Sequence, residues 1–593
     1  MYMTEEELKD WIEMKKIQTK KYNKSVWIPL YEFSKKTEGD YFHSGFTEEV
    51  CSLKSVFINK CDFDKANLLN WSNLGNHHES SSFVENDDYV PCDVLYKDYY
   101  DVEGVFPVIV QRVGHNLPEV WDLHQDIVIA LKLYRDGDTW ICPDEDYTEV
   151  VHLLRDEEGN PRKIEIKNEY LKDYLCARNM GLVLTWYQEH EKYLSYKPKF
   201  GWSDEHESVT LEKGHWEGRI FETSSTGNPF GSEVFVVHVN RTDIDKDDDV
   251  PVMGIPTDDN ISGESKIVPL RTGEKVFGVL GEVWNNELIL PGSNSIRVRG
   301  DEPQNYPFFK IDASGNIKTA NQLKDEGRWL WFKPEVINAL LEKRDGVLEW
   351  YTRETGKIGC SYGYFVHFGI NENGFITVYA EDISFLPVWQ QIIWAGFNIA
   401  PEGGVSKELL MSQVDAEPAI TEAPEEILPI EYNRLNELFH KSFNTYLFRK
   451  QKEIDNLLPK IHRFRSLSED VFYNLAKDLA RLTADAICAK EIQELLIIPN
   501  GEKWGSLKTL QNFLIQKLDV EESTAKQFMA PLFGIYDMRQ VDAHLGDASK
   551  DDPYISLGVS RELEPLFRGR EMLGRFVTTL CEIQKLICIS AQE

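Results

Sequence analysis

Arg539 and His544 stand five positions apart in the segment Leu532-Phe533-Gly534-Ile535-Tyr536-Asp537-Met538-Arg539-Gln540-Val541-Asp542-Ala543-His544-Leu545-Gly546. A histidine titrates near pH 6.5 and so can take or give a proton at neutrality. An arginine presents a fixed fork of donors that grips a phosphate bidentately and stabilises charge building at phosphorus. RNA supplies its own nucleophile, the 2′-hydroxyl. Groups of these types could together cut RNA without a metal or cofactor, and the product would be a 2′,3′-cyclic phosphate with a 5′-hydroxyl. Five residues at about 100° each set the two side chains about 140° apart on an ideal helix. They converge only where the helix ends between them or where a second subunit completes the site. Gly546 marks a helix end at that point. Arg-x4-His alone recurs by chance in a chain of this size, and its bland reading is a surface Arg and a surface His.

Other residues invite weaker chemistry. Pro143-Asp144 followed by Glu165-Ile166-Lys167 spells the PD-(D/E)xK pattern of magnesium-dependent nucleases, in which two acids hold the ion and a lysine orients water. Asp144 belongs to an acidic run, however, and such spellings arise easily in an acid-rich chain. His77-His78 lies in a polar stretch and reads as solvated. Asp243, Asp245, Asp247 and Asp249 alternate like calcium ligands, but Asp248 stands where an EF-hand loop needs glycine. Lys460, Arg463 and Arg465 suit either phosphate contact or a solvated basic turn. Trp329, Trp331, Trp389 and Trp394 read as core.

The elements that position Arg539 and His544 are helical. Residues 432–458, 468–490, 506–518, 521–544 and 562–589 carry helical spacing, with Ser468 and Ser506 as N-cap candidates. A bundle of four or five helices is expected over 431–593. An Arg-x4-His motif at the end of a helix late in such a bundle resembles the HEPN ribonucleases. The resemblance covers about a quarter of the chain. It implies a metal-independent RNase site assembled where two copies face each other in a homodimer. Arg539 and His544 would be the catalytic pair, with Gln540 at the polar position that follows the arginine. That position is most often Asn, Asp or His; glutamine also donates and accepts hydrogen bonds. The layout, an α+β region ahead of a helical domain, is similar to ApeA-type abortive-infection proteins. It implies a toxin-like antiviral effector that the N-terminal region restrains until an unknown trigger, such as a phage component, arrives.

Ahead of the bundle the texture is α+β, with antiparallel strands and helices. Residues 5–16 read as an amphipathic helix, while 26–31, 108–113 and 233–240 read as strands. Residues 168–187 carry helical spacing that Gly181 bends or ends. Residues 275–290 read as two strands joined by Asn285-Asn286. A hairpin is expected over 362–380, and helices over 334–344 and 387–397. The expected division is 1–200 and 201–411 as two α+β parts, an acidic, proline-containing linker at 412–430, and the bundle at 431–593.

Bulk properties bound this reading. A chain of 593 residues needs more than one core. The formal charge is −34. About 22 basic and 24 acidic residues lie from Glu431 onward, so nearly all the excess acid precedes the bundle. A wide nucleic-acid groove in the N-terminal part is disfavoured, and RNA cleavage in the bundle is compatible with the total. No apolar run reaches membrane-spanning length, and the start lacks a signal-peptide pattern, so a cytoplasmic protein is expected. The nine dispersed cysteines show no zinc spacing and fit a reducing compartment, mostly as small core residues. Two alternatives to the ribonuclease stand: a non-enzymatic scaffold whose bundle only dimerises, and a magnesium-dependent nuclease in the N-terminal region.

Overall fold

The computed structural model describes residues 3–74, 83–85, 88–95, 101–111, 119–224, 234–241, 262–269, 275–303, 305–449, 452–541 and 553–590. It divides into two units, one over 1–143 and 147–302, the other over 144–146 and 303–593. An antiparallel-sheet region precedes a helical region, as the sequence leads one to expect.

The first unit is built on one twelve-stranded antiparallel sheet. Its path runs from His206–Thr210 through Gly214–Ser224, Lys275–Ile289, Met180–Leu194, Thr47–Asn59, Trp27–Glu38, Pro161–Lys167, Thr148–Arg155 and Thr139–Cys142 to Tyr134–Asp136. We label Trp27–Glu38 β1, Thr47–Asn59 β2, Thr148–Arg155 β3, Pro161–Lys167 β4, Met180–Leu194 β5 and Lys275–Ile289 β6. The helix α1, Glu5–Glu13, is closed at its N-terminus by a Thr4–Glu7 capping box. It lies on the sheet at Gly281, where a Cβ would come within 2.3 Å of the Ile12 carbonyl, so only glycine admits the helix. Leu30, Phe57, Trp140, Ile164, Leu171 and Leu184 anchor the main core. Each such side chain contributes roughly 1.5–3 kcal/mol by leaving water.

Two local expectations fail here. The helix foreseen over 168–187 is α2, Asn168–Arg178, after which the chain turns into β5. Asn179 takes the left-handed conformation at φ 55° and its N–H caps the helix end. The apolar run that follows, buried from Gly181 to Trp186, is a central strand. The Asn285-Asn286 turn does not exist either. Both asparagines are buried inside the continuous strand β6, with the Asn286 amide donating to Asn285 Oδ1. Because β6 pairs along its length with β5, a boundary at residue 200 would cut one sheet in two, and the 1–200 and 201–411 division is corrected.

The second unit contains a six-stranded sheet, ordered Val347–Trp350, Thr355–Ser361, Tyr364–Ile370, Ile376–Tyr379, Trp329–Phe332 and Asn398–Ile399. The hairpin expected over 362–380 is Tyr364–Ile370 with Ile376–Tyr379. The two helices expected here are α3, Glu335–Leu341, and α4, Val388–Phe397. Of the four tryptophans read as core, Trp394 is buried and the other three are half-buried. The buried core of this sheet includes Phe464 and Leu566 from the helical part.

The helices that matter for the motif are α5 Pro424–Phe443, α6 Glu469–Leu482, α7 Ser506–Lys517, α8 Glu522–Val541, α9 Pro553–Leu557 and α10 Pro565–Ser590. The expected linker 412–430 is corrected in its second half. Pro424 starts α5 with its fixed φ at the first turn, and Glu425 and Leu428 are buried. The helix foreseen over 432–458 stops at Asn444, in the left-handed conformation at φ 57°. Ser468 is an N-cap without a side-chain cap bond, and Gly505 rather than Ser506 caps α7. In α8, Ala525, Met529, Leu532, Ile535 and Met538 recur every three or four residues and are all buried, so one stripe faces the core. Helix α9 crosses α8 at Gly534, where a Cβ would meet the Leu557 amide nitrogen at 2.7 Å.

Candidate functional site

Met538 is the last core residue of the α8 stripe, fully buried. One residue further, about 100° around the helix, Arg539 emerges at the surface in the final turn. Its Nη1 donates to Asp485 Oδ1 and Oδ2 at 2.8 and 2.7 Å. The side chains of Arg539 and Asp485 are 37% and 46% exposed, so water reaches the pair. Nε and Nη2 of Arg539, the two nitrogens that form the side-on fork, have no hydrogen-bond partner among the described residues. That fork is the edge that grips phosphate oxygens in pairs. Gln540 follows in the helix, but its side chain lies outside the described residues, and so does His544.

Asp485 was not singled out by the sequence. It sits in the turn after α6, where the main chain is bonded to several elements. The Asp485 amide donates to the Ala480 carbonyl at 3.2 Å, and the amides of Ala486 and Ile487 both donate to Thr483 O at 2.9 Å. The Ser506 hydroxyl at the start of α7 donates to the Ala484 carbonyl at 2.5 Å. The Arg449 amide donates to Ala486 O and the Cys488 amide to Leu447 O, both at 2.9 Å. Tyr432 of α5 donates its hydroxyl hydrogen to Leu482 O. An acid 54 positions from its arginine leaves no spacing signal.

The PD-(D/E)xK residues have other engagements. Glu165 in β4 faces His152 across the β3–β4 register; His152 Nε2 lies 2.9 Å from it, and Lys163 pairs with it as well. Lys167 lies over the Trp27 ring. The Asp144 carbonyl accepts from the indole of Trp389, and Asp144 is counted with the second unit. His77, His78 and Asp243 through Asp249 lie outside the described residues. Arg463 is no surface contact for phosphate; it is buried and paired with Glu425 through Nε and Nη2. All nine cysteines are free; three are buried, four half-buried, and Cys61 and Cys588 exposed. Fewer of them are core than their residue type suggests.

Nothing in the sequence announces a carboxylate group formed by Glu48, Glu189 and Glu191, whose oxygens lie within 4.8 Å of one another. Glu189 and Glu191 share a face of β5, and Glu48 is the register partner of Glu191. These acids have protein partners: Lys35 pairs with Glu48, and the Tyr193 hydroxyl donates to Glu191. Burial pushes the Glu191 carboxyl above its ordinary value.

No protein-family model, no curated protein and no solved structure matches the chain. No helix among the described residues is long and apolar enough to cross a membrane.

Proposed function

We propose that the chain is a metal-independent endoribonuclease of HEPN type, acting as a homodimer. In this reading it is a toxin-like, cytoplasmic effector of antiviral defence, and the sheet region ahead of the bundle restrains or triggers it. One observation supports it most. Arg539 stands at the surface end of a long helix, five residues before His544, and is held through one nitrogen while its Nε–Nη2 fork has no partner among the described residues. A fork presented this way suits a phosphate, and His544 supplies the proton transfer that attack by the 2′-hydroxyl requires. The helical surroundings and the near-neutral charge of the bundle also fit an RNA-cutting domain.

A second reading draws on the same ion pair. Asp485 neutralises Arg539, as it would in a bundle that only dimerises and scaffolds. Cleavage decides between them. The purified chain, given single-stranded RNA with excess EDTA, should release products ending in 2′,3′-cyclic phosphate and 5′-hydroxyl. Intact RNA under all conditions supports the scaffold, and cleavage that EDTA abolishes points to a metal-dependent site.

A further inference from the structure

We propose that Asp485 is the positioning residue for Arg539, aiming its guanidinium so that the Nε–Nη2 fork faces the scissile phosphate. The proposal rests on the ribonuclease reading. An ion pair as exposed as this one adds little to stability, because water screens it. Yet the turn that carries Asp485 is bonded to more elements than a surface acid needs. From Leu482 to Cys488 its main chain meets α5 through Tyr432, α7 through Ser506, and the 447–449 segment through two backbone bonds. Phe448 and Ile487 also form a β-bridge. The carboxylate is therefore offered from a fixed platform, whereas the arginine stem alone is long and flexible. Both contacts run to Nη1, which fixes the guanidinium by its far nitrogen and leaves its side-on edge out of the pair.

A fixed arginine lowers the barrier because no reorganisation is needed as charge develops. The same carboxylate places a negative charge beside a site meant for phosphate, which weakens binding of the ground state. Asp485 thus favours turnover and opposes affinity. Its removal should move kcat and KM in the same direction, a signature that loss of stability alone does not give.

The test uses the full chain and a mixed-sequence single-stranded oligoribonucleotide with EDTA present. Asp485→Ala should lower kcat about 10- to 100-fold, with KM also falling several-fold. Asp485→Asn keeps the shape and one acceptor oxygen without the charge; it should recover much of kcat and keep the lowered KM. Melting temperatures should stay within a few degrees of wild type. If Asp485→Ala does not fold, Asp485→Asn decides: wild-type kcat and KM in that variant overturn the proposal. A rise in kcat on removing the acid overturns it too, since Asp485 would then block the arginine. If wild type cleaves and Arg539→Ala does not, yet Asp485→Ala matches wild type, this inference alone fails. If wild type does not cleave, the ribonuclease reading fails and this inference with it.

Discussion

Arg463 shows how differently two arginines of one motif-rich region are used. Its guanidinium is sealed from water, donating to Glu425 at 2.7 and 2.8 Å and to Glu354 at 3.3 Å while lying over the Trp350 ring. Burial alone would raise the Glu425 carboxyl, but Arg463 outweighs it and holds the group below its ordinary value. Glu425→Ala leaves that buried charge with only the longer contact to Glu354, and urea unfolding should show a loss of about 3–5 kcal/mol. A change below about 1 kcal/mol would mean that water or another acid replaces Glu425. From the sequence, Lys460, Arg463 and Arg465 read alike, because the partner that separates Arg463 lies 38 positions upstream. Arg539 was readable as a candidate for the opposite reason: motif spacing and helical pattern both lie within a few residues of it. Asp485 was not, since only the folded turn brings it there.

At the scale of elements, local pattern succeeded where one face of a helix or hairpin decides, as in α8, α4 and the Tyr364–Tyr379 hairpin. It failed where tertiary pairing overrides local signals. The apolar run after Gly181 suits helix or strand equally, and β5 is a strand because β2 and β6 flank it on both edges. Asn285-Asn286 signals a turn in isolation, yet both residues are buried in paired strand. The acidic stretch before the bundle divides likewise. Thr421 is tied to Glu408 and to the Arg353 amide, and Pro424 begins α5, whereas residues 414–420 lie outside any helix or strand and Ile420 is fully exposed. Limited proteolysis with mass spectrometry should therefore place early cuts in this stretch within 414–420 and none within 424–430. Early cleavage inside 424–430 would show that α5 starts later than Pro424.

Across the whole molecule, stability should depend on pH through His462. Its Nδ1 is buried with no partner among the described residues, and burial pushes the folded-state value down to about 4, against 6.5 ordinarily. The unfolded chain takes up this proton first as pH falls. The stabilising contribution is complete above about pH 6.5 and is lost progressively between about 6.5 and 4, up to about 3 kcal/mol. Denaturant midpoints measured across that window should fall less steeply in His462→Phe, and identical slopes would mean that His462 is hydrated in the fold. The proposed homodimer makes a separate demand. If each site needs both subunits, mixtures of wild-type and His544→Ala chains should lose activity out of proportion to the mutant fraction. A strictly proportional loss would place a complete site in each chain.

Whether Arg539 and His544 cut RNA without a metal is decided most directly by one rate comparison. His544→Ala and Arg539→Ala are set against wild type on the same RNA with EDTA, after circular dichroism and sedimentation confirm unchanged fold and assembly. Each variant should lose about 10²–10⁴ in rate. Arg539→Lys should recover little, because an ammonium cannot reproduce the fork. Wild-type cleavage by the purified Arg539→Ala, His544→Ala double variant would contradict the assignment.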